Sequence, residues 1–241
     1  MLGRVRRIST GGAVARYHYD TDALWEQHLH ERLGQPWPCA ETHEFDTLWA
    51  QIGAAFDQQG LAMGRAAYGG WDDGDRGFAR AVWCLTRHLR ARSVVETGVA
   101  RGITSRVILE ALQRGGDGRL SSIDLPALDS AVHSEIGAAV PAELRGRWTY
   151  LNGTSRSRLP GLLAELGEID LFVHDSSHTT RNLRFELDRA WTALRRGALL
   201  ADDIERNQGF AQFTRAHPDV PSFAAAADDG AAMFGIVLKG L

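Results

Sequence analysis

The chain has 241 residues, 44% of them hydrophobic and 24% charged, with a formal net charge of −3. That length and apolar share suit one α/β domain with a small extra segment. Two cysteines are too few for a disulfide framework, and no apolar run approaches the roughly 20 residues of a membrane span. Of 27 basic side chains only Lys239 is lysine, so there is no Walker-type phosphate loop and no interior lysine for a Schiff base. Any catalytic base is therefore His, Asp, Glu or Tyr. The arginines are scattered and the net charge is negative, so no basic face for nucleic acid can be read. No apolar stretch follows the basic start, Met1 to Arg7, which reads as a frayed or solvated terminus of a cytoplasmic protein.

Residues 1–75 read as a helical segment: a cap or lid over a site, or a contact in a homo-oligomer. Leu24-Trp25-x-x-His28-Leu29 and Phe45-x-x-Leu48-Trp49-x-x-Ile52 carry apolar residues at helical spacing, and Pro36-Trp37-Pro38 separates the two helices. His28, His30, Cys39 and His43 could be written as a zinc site. Their spacing matches no common finger, so the stretch reads as aromatic helical packing. Tyr68 to Asp75 is loop-like, rich in Gly and Asp, with Tyr68 and Trp71 placed either to cover a ligand or simply to pack.

From residue 76 onward, short apolar strands alternate with amphipathic helices. Strands are predicted at 93–96, 120–124, 148–151, 169–175 and 198–202, and helices at 76–91, 103–114, 129–140, 156–166, 179–195 and 208–216. The β-like runs 222–227 and 233–239 have only a short connection and should pair as an antiparallel hairpin. The pattern is that of a doubly wound parallel sheet.

Glu96-Thr-Gly98-Val-Ala-Arg-Gly102-Ile-Thr-Ser105 joins the first of these strands to its helix, at the carboxyl edge where such sheets bind ligands. Its glycines permit close backbone approach, and the helix N-terminus offers free N–H groups to an anion. Asp124 ends the next strand, 26 residues after Gly98, where a carboxylate can accept both hydroxyls of a ribose. Gly-x-x-x-Gly is not the dinucleotide fingerprint. Arg101, inside the loop, either reaches a substrate carboxylate or lies exposed.

Glu-x-Gly-x-x-x-Gly with an acid at the end of the next strand resembles the class I S-adenosylmethionine-dependent methyltransferases. The resemblance covers residues 76–241. It implies a Rossmann-like seven-stranded sheet, mostly parallel with a C-terminal antiparallel hairpin, and S-adenosyl-L-methionine as cofactor. It implies that Glu96, Thr97, Gly98, Gly102, Thr104 and Ser105 border the methionine part, that Asp124 with Leu125 meets the ribose, and that Gly153, Thr154 and Ser155 border the adenine. Many relatives have an acid in that last turn; this chain has none.

His174-Asp175-Ser-Ser-His178 and Asp202-Asp203 each follow a strand, the fourth and the fifth. In the class I fold the first, fourth and fifth strands are adjacent, so the segments converge beside the cofactor loop. Carboxylates brought together repel one another, and a divalent cation relieves this; oxygen ligands from Asp175, Asp202 and Asp203 suit Mg²⁺. Asp-x-x-His with a later Asp-Asp resembles the metal-dependent sugar O-methyltransferases of bacterial antibiotic pathways, such as the macrocin type. That resemblance makes His178 the general base, places Asp175 at the catalytic centre and beside the cofactor as well as on the metal, and implies a small-molecule acceptor. In catechol-type relatives a lysine stands at the position of His178. Two alternatives stay open: Asp175, Ser176 or Ser177 could merely cap the helix after them, and Asp202-Asp203 could be a solvated loop. His174 should face away from Asp175 by strand alternation and be structural. An N-, RNA or protein methyltransferase, or a non-catalytic cofactor-binding partner, are the competing functions.

Overall fold

In a computed structural model, residues 17–125, 130–228, 230 and 232–241 are described. The basic start and the first position of the helix expected over 129–140 lie outside them. Two helices come first, α1 (Trp25–Leu33) and α2 (Thr42–Gln58), then a two-stranded hairpin, β1 (Gly64–Tyr68) and β2 (Trp71–Asp73). The alternation follows: α3 (Arg76–His88), β3 (Ser93–Thr97), α4 (Ile103–Gly115), β4 (Arg119–Asp124), β5 (Trp148–Asn152), α5 (Ser155–Leu166), β6 (Ile169–His174), α6 (Thr180–Ala193), β7 (Leu194–Ala201), α7 (Gly209–Ala216), β8 (Ser222–Ala226) and β9 (Met233–Lys239).

The large sheet has the order β5-β4-β3-β6-β7-β9-β8. β3 to β7 are parallel, β9 is antiparallel to both β7 and β8, and the expected terminal hairpin is present. Alternate residues of each strand serve opposite layers. Val94, Leu171 and Leu200 face a core built with Leu29, Phe45, Trp83 and Val107, so α1 and α2 share the core of α3 and α4. Val95, Phe172 and Leu199 face a second core with Leu159 of α5, Leu183 of α6 and Phe213 of α7. Lys239 donates to the Trp191 carbonyl at 2.7 Å and lies over that indole, far from any chemistry. No helix among the described residues is long and apolar enough to cross a membrane.

Two elements differ from the sequence reading. Tyr68 to Asp75 is not plain loop: Gly69 and Gly70, at φ +56 and +89, make the tight turn of the β1–β2 hairpin. Positive φ at both central positions matches the twist of a two-residue hairpin, and glycine reaches it without strain. The helix expected over 129–140 is instead 3-10 structure at Ser130–Glu135, with a second 3-10 helix at Ala142–Arg147. Gly137 at φ +68 and Pro141 lie between them and stop an α-helix from propagating.

Strand register aligns the site. Thr97 pairs with His174, and His174 with Ala201. The next residue on each strand is therefore Gly98, Asp175 and Asp202, side by side at one edge. Thr97 also pairs with Ile123, which sets Asp124 on the same line.

Candidate active site

The loop after β3 is fixed from below. Glu96 is fully buried, and its Oε2 accepts from Ser105 at 2.7 Å and from Ser122 at 2.6 Å. Burial raises its pKa to about 7 despite the two hydroxyls. Thr97 is also buried and donates to Glu186 at 2.6 Å. Three residues read as cofactor contacts, Glu96, Thr97 and Ser105, thus have inward-facing side chains that hold the loop from beneath.

Gly98 sits at φ +88, and a Cβ there would lie 1.8 Å from the Asp175 carbonyl oxygen. The missing side chain lets the β3 and β6 loops touch backbone to backbone, with the Asp175 N–H donating to the Thr97 carbonyl at 2.8 Å. Gly98→Ala is expected to destabilise the fold by more than the roughly 1–3 kcal/mol of its backbone strain alone, read as a lowered Tm. Gly161→Ala, in α5 with nothing within 4 Å of the new Cβ, should instead be neutral or stabilising. Equal Tm values for the two variants would refute this.

Asp124 lies at the end of β4, its pKa raised by burial and held back by the backbone N–H groups of Val99 and Leu125. Leu125 beside it is exposed. Tyr68 and Tyr150 are close enough for the Asp124 charge to raise both phenols, after burial; the buried Tyr150 hydroxyl has no partner. Tyr150 had no signal in the sequence, because a tyrosine inside a strand reads as packing. Tyr68 is buried while Trp71 is exposed. Gly102 and Thr104 open α4. Gly153 follows β5 and donates to the Asp124 carbonyl at 2.9 Å, Thr154 caps α5, and the Ser155 hydroxyl meets Asn182 at 3.2 Å.

Arg101 is neither exposed nor free for a substrate. It is buried, pairs with Glu135 at 2.9 Å and Asp73 at 3.5 Å, and donates to the carbonyls of Ala62 and Ala67. It clasps the hairpin and the 3-10 segment against the cofactor loop.

Asp175, His178 and Asp202 come together, each offering a ligand atom within 4.8 Å of the others. Asp203 is turned from that set. Its left-handed backbone, φ +51, sends its carboxylate to His178 Nδ1 at 2.9 Å and Arg206 at 2.9 Å. Asp203 stands behind His178, though its charge still acts on both Asp175 and Asp202. Asp203 is not a solvated residue, for it is buried. Asp175 does not cap α6; Thr179 does, accepting from Asn182 N–H, while Ser176 donates to Glu186 at 2.9 Å.

The electrostatics follow from this crowding. Burial, then the charges of Asp203, Glu96, Asp73 and Asp75, push the Asp175 carboxyl well up. Burial, then Asp175 and Asp203, do the same to Asp202. Asp175 keeps 32% of its side-chain surface exposed, so this is the desolvation of a crevice, not of a sealed interior. Asp73 and Asp75 join the acidic edge unforeseen; the Asp-rich run after Trp71 was their only signal. Burial works against Asp203's charge, yet His178 and Arg206 hold its carboxyl below the usual range. Burial lowers His178, partly opposed by its hydrogen bond to Asp203. Buried atoms at this edge without a hydrogen-bond partner among the described residues include His178 Nε2 and Asp202 Oδ1. His174, as expected, faces inward, bonded to Glu186 at 2.5 Å.

Residues 95–204 match a family model described as a methyltransferase domain. The matched segment, from within β3 to just past β7, is similar to a methyltransferase domain. The solved structures similar to this chain agree on the fold. A putative O-methyltransferase from Klebsiella pneumoniae is 17% identical over 90% of this chain and 96% of its own, with a TM-score of 0.58. An O-methyltransferase from Bacillus cereus, solved with SAH, is 16% identical over 89% and 97%, with a TM-score of 0.58. An O-methyltransferase of tomaymycin synthesis from Streptomyces achromogenes, solved with SAM, is 16% identical over 79% and 88%, with a TM-score of 0.54. Comparison with curated proteins gives no match.

Proposed function

We propose that this methyltransferase moves a methyl group from S-adenosylmethionine to a hydroxyl of a small polar metabolite, a sugar or similar, with Mg²⁺ held by Asp175 and Asp202. The observation that carries the reading is His178: its Nδ1 is held by Asp203 at 2.9 Å, and its buried, unpartnered Nε2 lies 3.8 Å from Asp175. A carboxylate on Nδ1 fixes the tautomer, so Nε2 carries the lone pair and can take the acceptor's proton. Asp203, kept ionised by His178 and Arg206, then stabilises the imidazolium. The orphaned Asp202 Oδ1 and two carboxylates with raised pKa values suit a hard divalent cation. When bound, such an ion would orient the acceptor and lower the pKa of its hydroxyl.

For the cofactor, Gly98, Gly102 and Thr104 face the methionine part, Asp124 and Leu125 the ribose, and Gly153 and Thr154 the adenine. Glu96, Thr97, Ser105 and Ser155 support these positions from beneath. Similar folds solved with SAM or SAH support the cofactor. Residues up to 75 act as a cap, a reading supported by the Arg101 clasp. The acid-lined edge disfavours a polyanionic acceptor such as RNA.

The test is S-adenosylhomocysteine formation across a panel of sugars and other hydroxylated metabolites. EDTA should abolish turnover and Mg²⁺ should restore it. Turnover untouched by EDTA sinks the metal assignment, and turnover only with amine acceptors sinks the hydroxyl.

A further inference from the structure

A second cluster lies on the other side of the molecule, and the chemistry above makes no use of it. His30 of α1, Cys39 of the following loop, and Cys84 and His88 of α3 each offer a ligand atom within 4.8 Å of the others. Cys84 and His88 are four residues apart, on one face of α3. Cys39 is brought to them by the turn after α1, where its carbonyl accepts from Thr42 N–H and from the Thr42 hydroxyl at 3.0 Å.

We propose that His30, Cys39, Cys84 and His88 bind one zinc ion, which fastens α1 and its following loop to the methyltransferase domain.

Four features support this. First, the donor set is two sulfurs and two imidazoles, the composition of closed structural zinc sites. Second, the Cys39 Sγ to His88 Nε2 separation is 3.4 Å. Metal bonds of about 2.3 Å to sulfur and 2.0–2.1 Å to nitrogen place tetrahedral S and N ligands about 3.5 Å apart. Third, His30 Nδ1 lies 2.6 Å from the Glu26 carbonyl, which can only accept. Nδ1 therefore carries the proton, and Nε2, buried with no hydrogen-bond partner, is left with its lone pair. A carbonyl holding the far nitrogen is the usual outer support of a metal-bound histidine. Fourth, His30, Cys39 and Cys84 are buried and both thiols are free, so two otherwise idle thiols sit with two imidazoles in an enclosed space. A cavity of about 410 Å³ borders the cluster at His88.

Two thiolates neutralise Zn²⁺, so the burial of this set carries no net charge. The carboxylate-rich edge at Asp175 offers oxygen donors, whereas this cluster offers none. The two sites should therefore sort ions by hardness.

The full-length protein, purified under reducing conditions from zinc-replete culture, is expected to carry about one zinc per chain by elemental analysis. Grown with cobalt instead, it should show visible d–d bands with near-ultraviolet thiolate-to-cobalt charge transfer. That charge transfer should survive in Asp175→Ala/Asp202→Ala, which reports only the other site, and in His43→Ala, whose exposed side chain is outside the cluster. Cys84→Ser should lose it together with the zinc. If Cys84→Ser does not fold, the cobalt spectrum of the unsubstituted protein decides alone. A metal-free protein with no thiolate charge transfer overturns the proposal. So does an intact mass showing a Cys39–Cys84 disulfide, or zinc retained by a folded Cys39→Ser/Cys84→Ser variant.

Discussion

His178→Ala is expected to lower kcat by roughly 10²–10⁴-fold, the span a positioned general base supplies, with cofactor affinity unchanged. On the proposed function the imidazole acts on the acceptor proton, and its charged neighbours are Asp203 and Asp175. The pH profile gives the sign. The base works as neutral imidazole, and burial lowers its pKa from the ordinary 6.5 or so against the pull of Asp203. Activity should therefore hold through neutral pH and fall on an acid limb whose midpoint lies below that value. Removing the imidazole should remove this limb as well as the rate. His178→Ala with an unaltered kcat, or an acid limb above pH 7, would eliminate His178 as the base.

The second large effect is on stability. Glu186 is buried, yet it accepts from Thr97 at 2.6 Å, Ser176 at 2.9 Å and Asn182 at 2.8 Å, and its Oε2 lies 2.5 Å from His174 Nδ1. Glu186→Ala deletes the acceptor that four polar groups share and leaves them facing a void. A loss of about 3 kcal/mol or more is expected, since each buried polar group left unsatisfied costs about 1–3 kcal/mol, measured by denaturant unfolding. Glu186→Gln, which keeps the shape, should lose less. Burial alone would raise the Glu186 pKa, but His174, Ser155 and Thr97 hold it down to about 2. A depressed carboxyl stabilises the fold above its unfolded value, near 4.3, and the gain fades as pH falls toward 2. The unsubstituted protein should therefore weaken over that acid window, and Glu186→Gln should flatten the dependence there. A cost under about 1 kcal/mol for Glu186→Ala would show that water can replace the carboxylate.

The parallel sheet was legible because apolar runs of strand length recur between amphipathic helices, and each run from Ser93 to Ala201 is a strand here. Placing Asp175 and Asp202 together needed only strand adjacency. The turned carboxylate of Asp203 was not legible, since it depends on one left-handed residue. The β1–β2 hairpin had a signal in Gly69-Gly70, but Arg65-Ala-Ala67 is poor in strand-forming residues and masked it. Glu186 reads as one more charge on a helix, and only the packing of α6 against β6 and β7 shows it to be buried. Cys39 is 45 residues from Cys84, so no local spacing announces their meeting.

The bare Cα of Gly98 against the Asp175 carbonyl has one more implication. On the proposed function, main chain against main chain would set the gap between methyl donor and proton acceptor, a gauge of fixed width. Selection among acceptors would then fall to the walls proposed as a cap, the hairpin and the first two helices. Exchanging those walls should retarget the enzyme without retuning its centre.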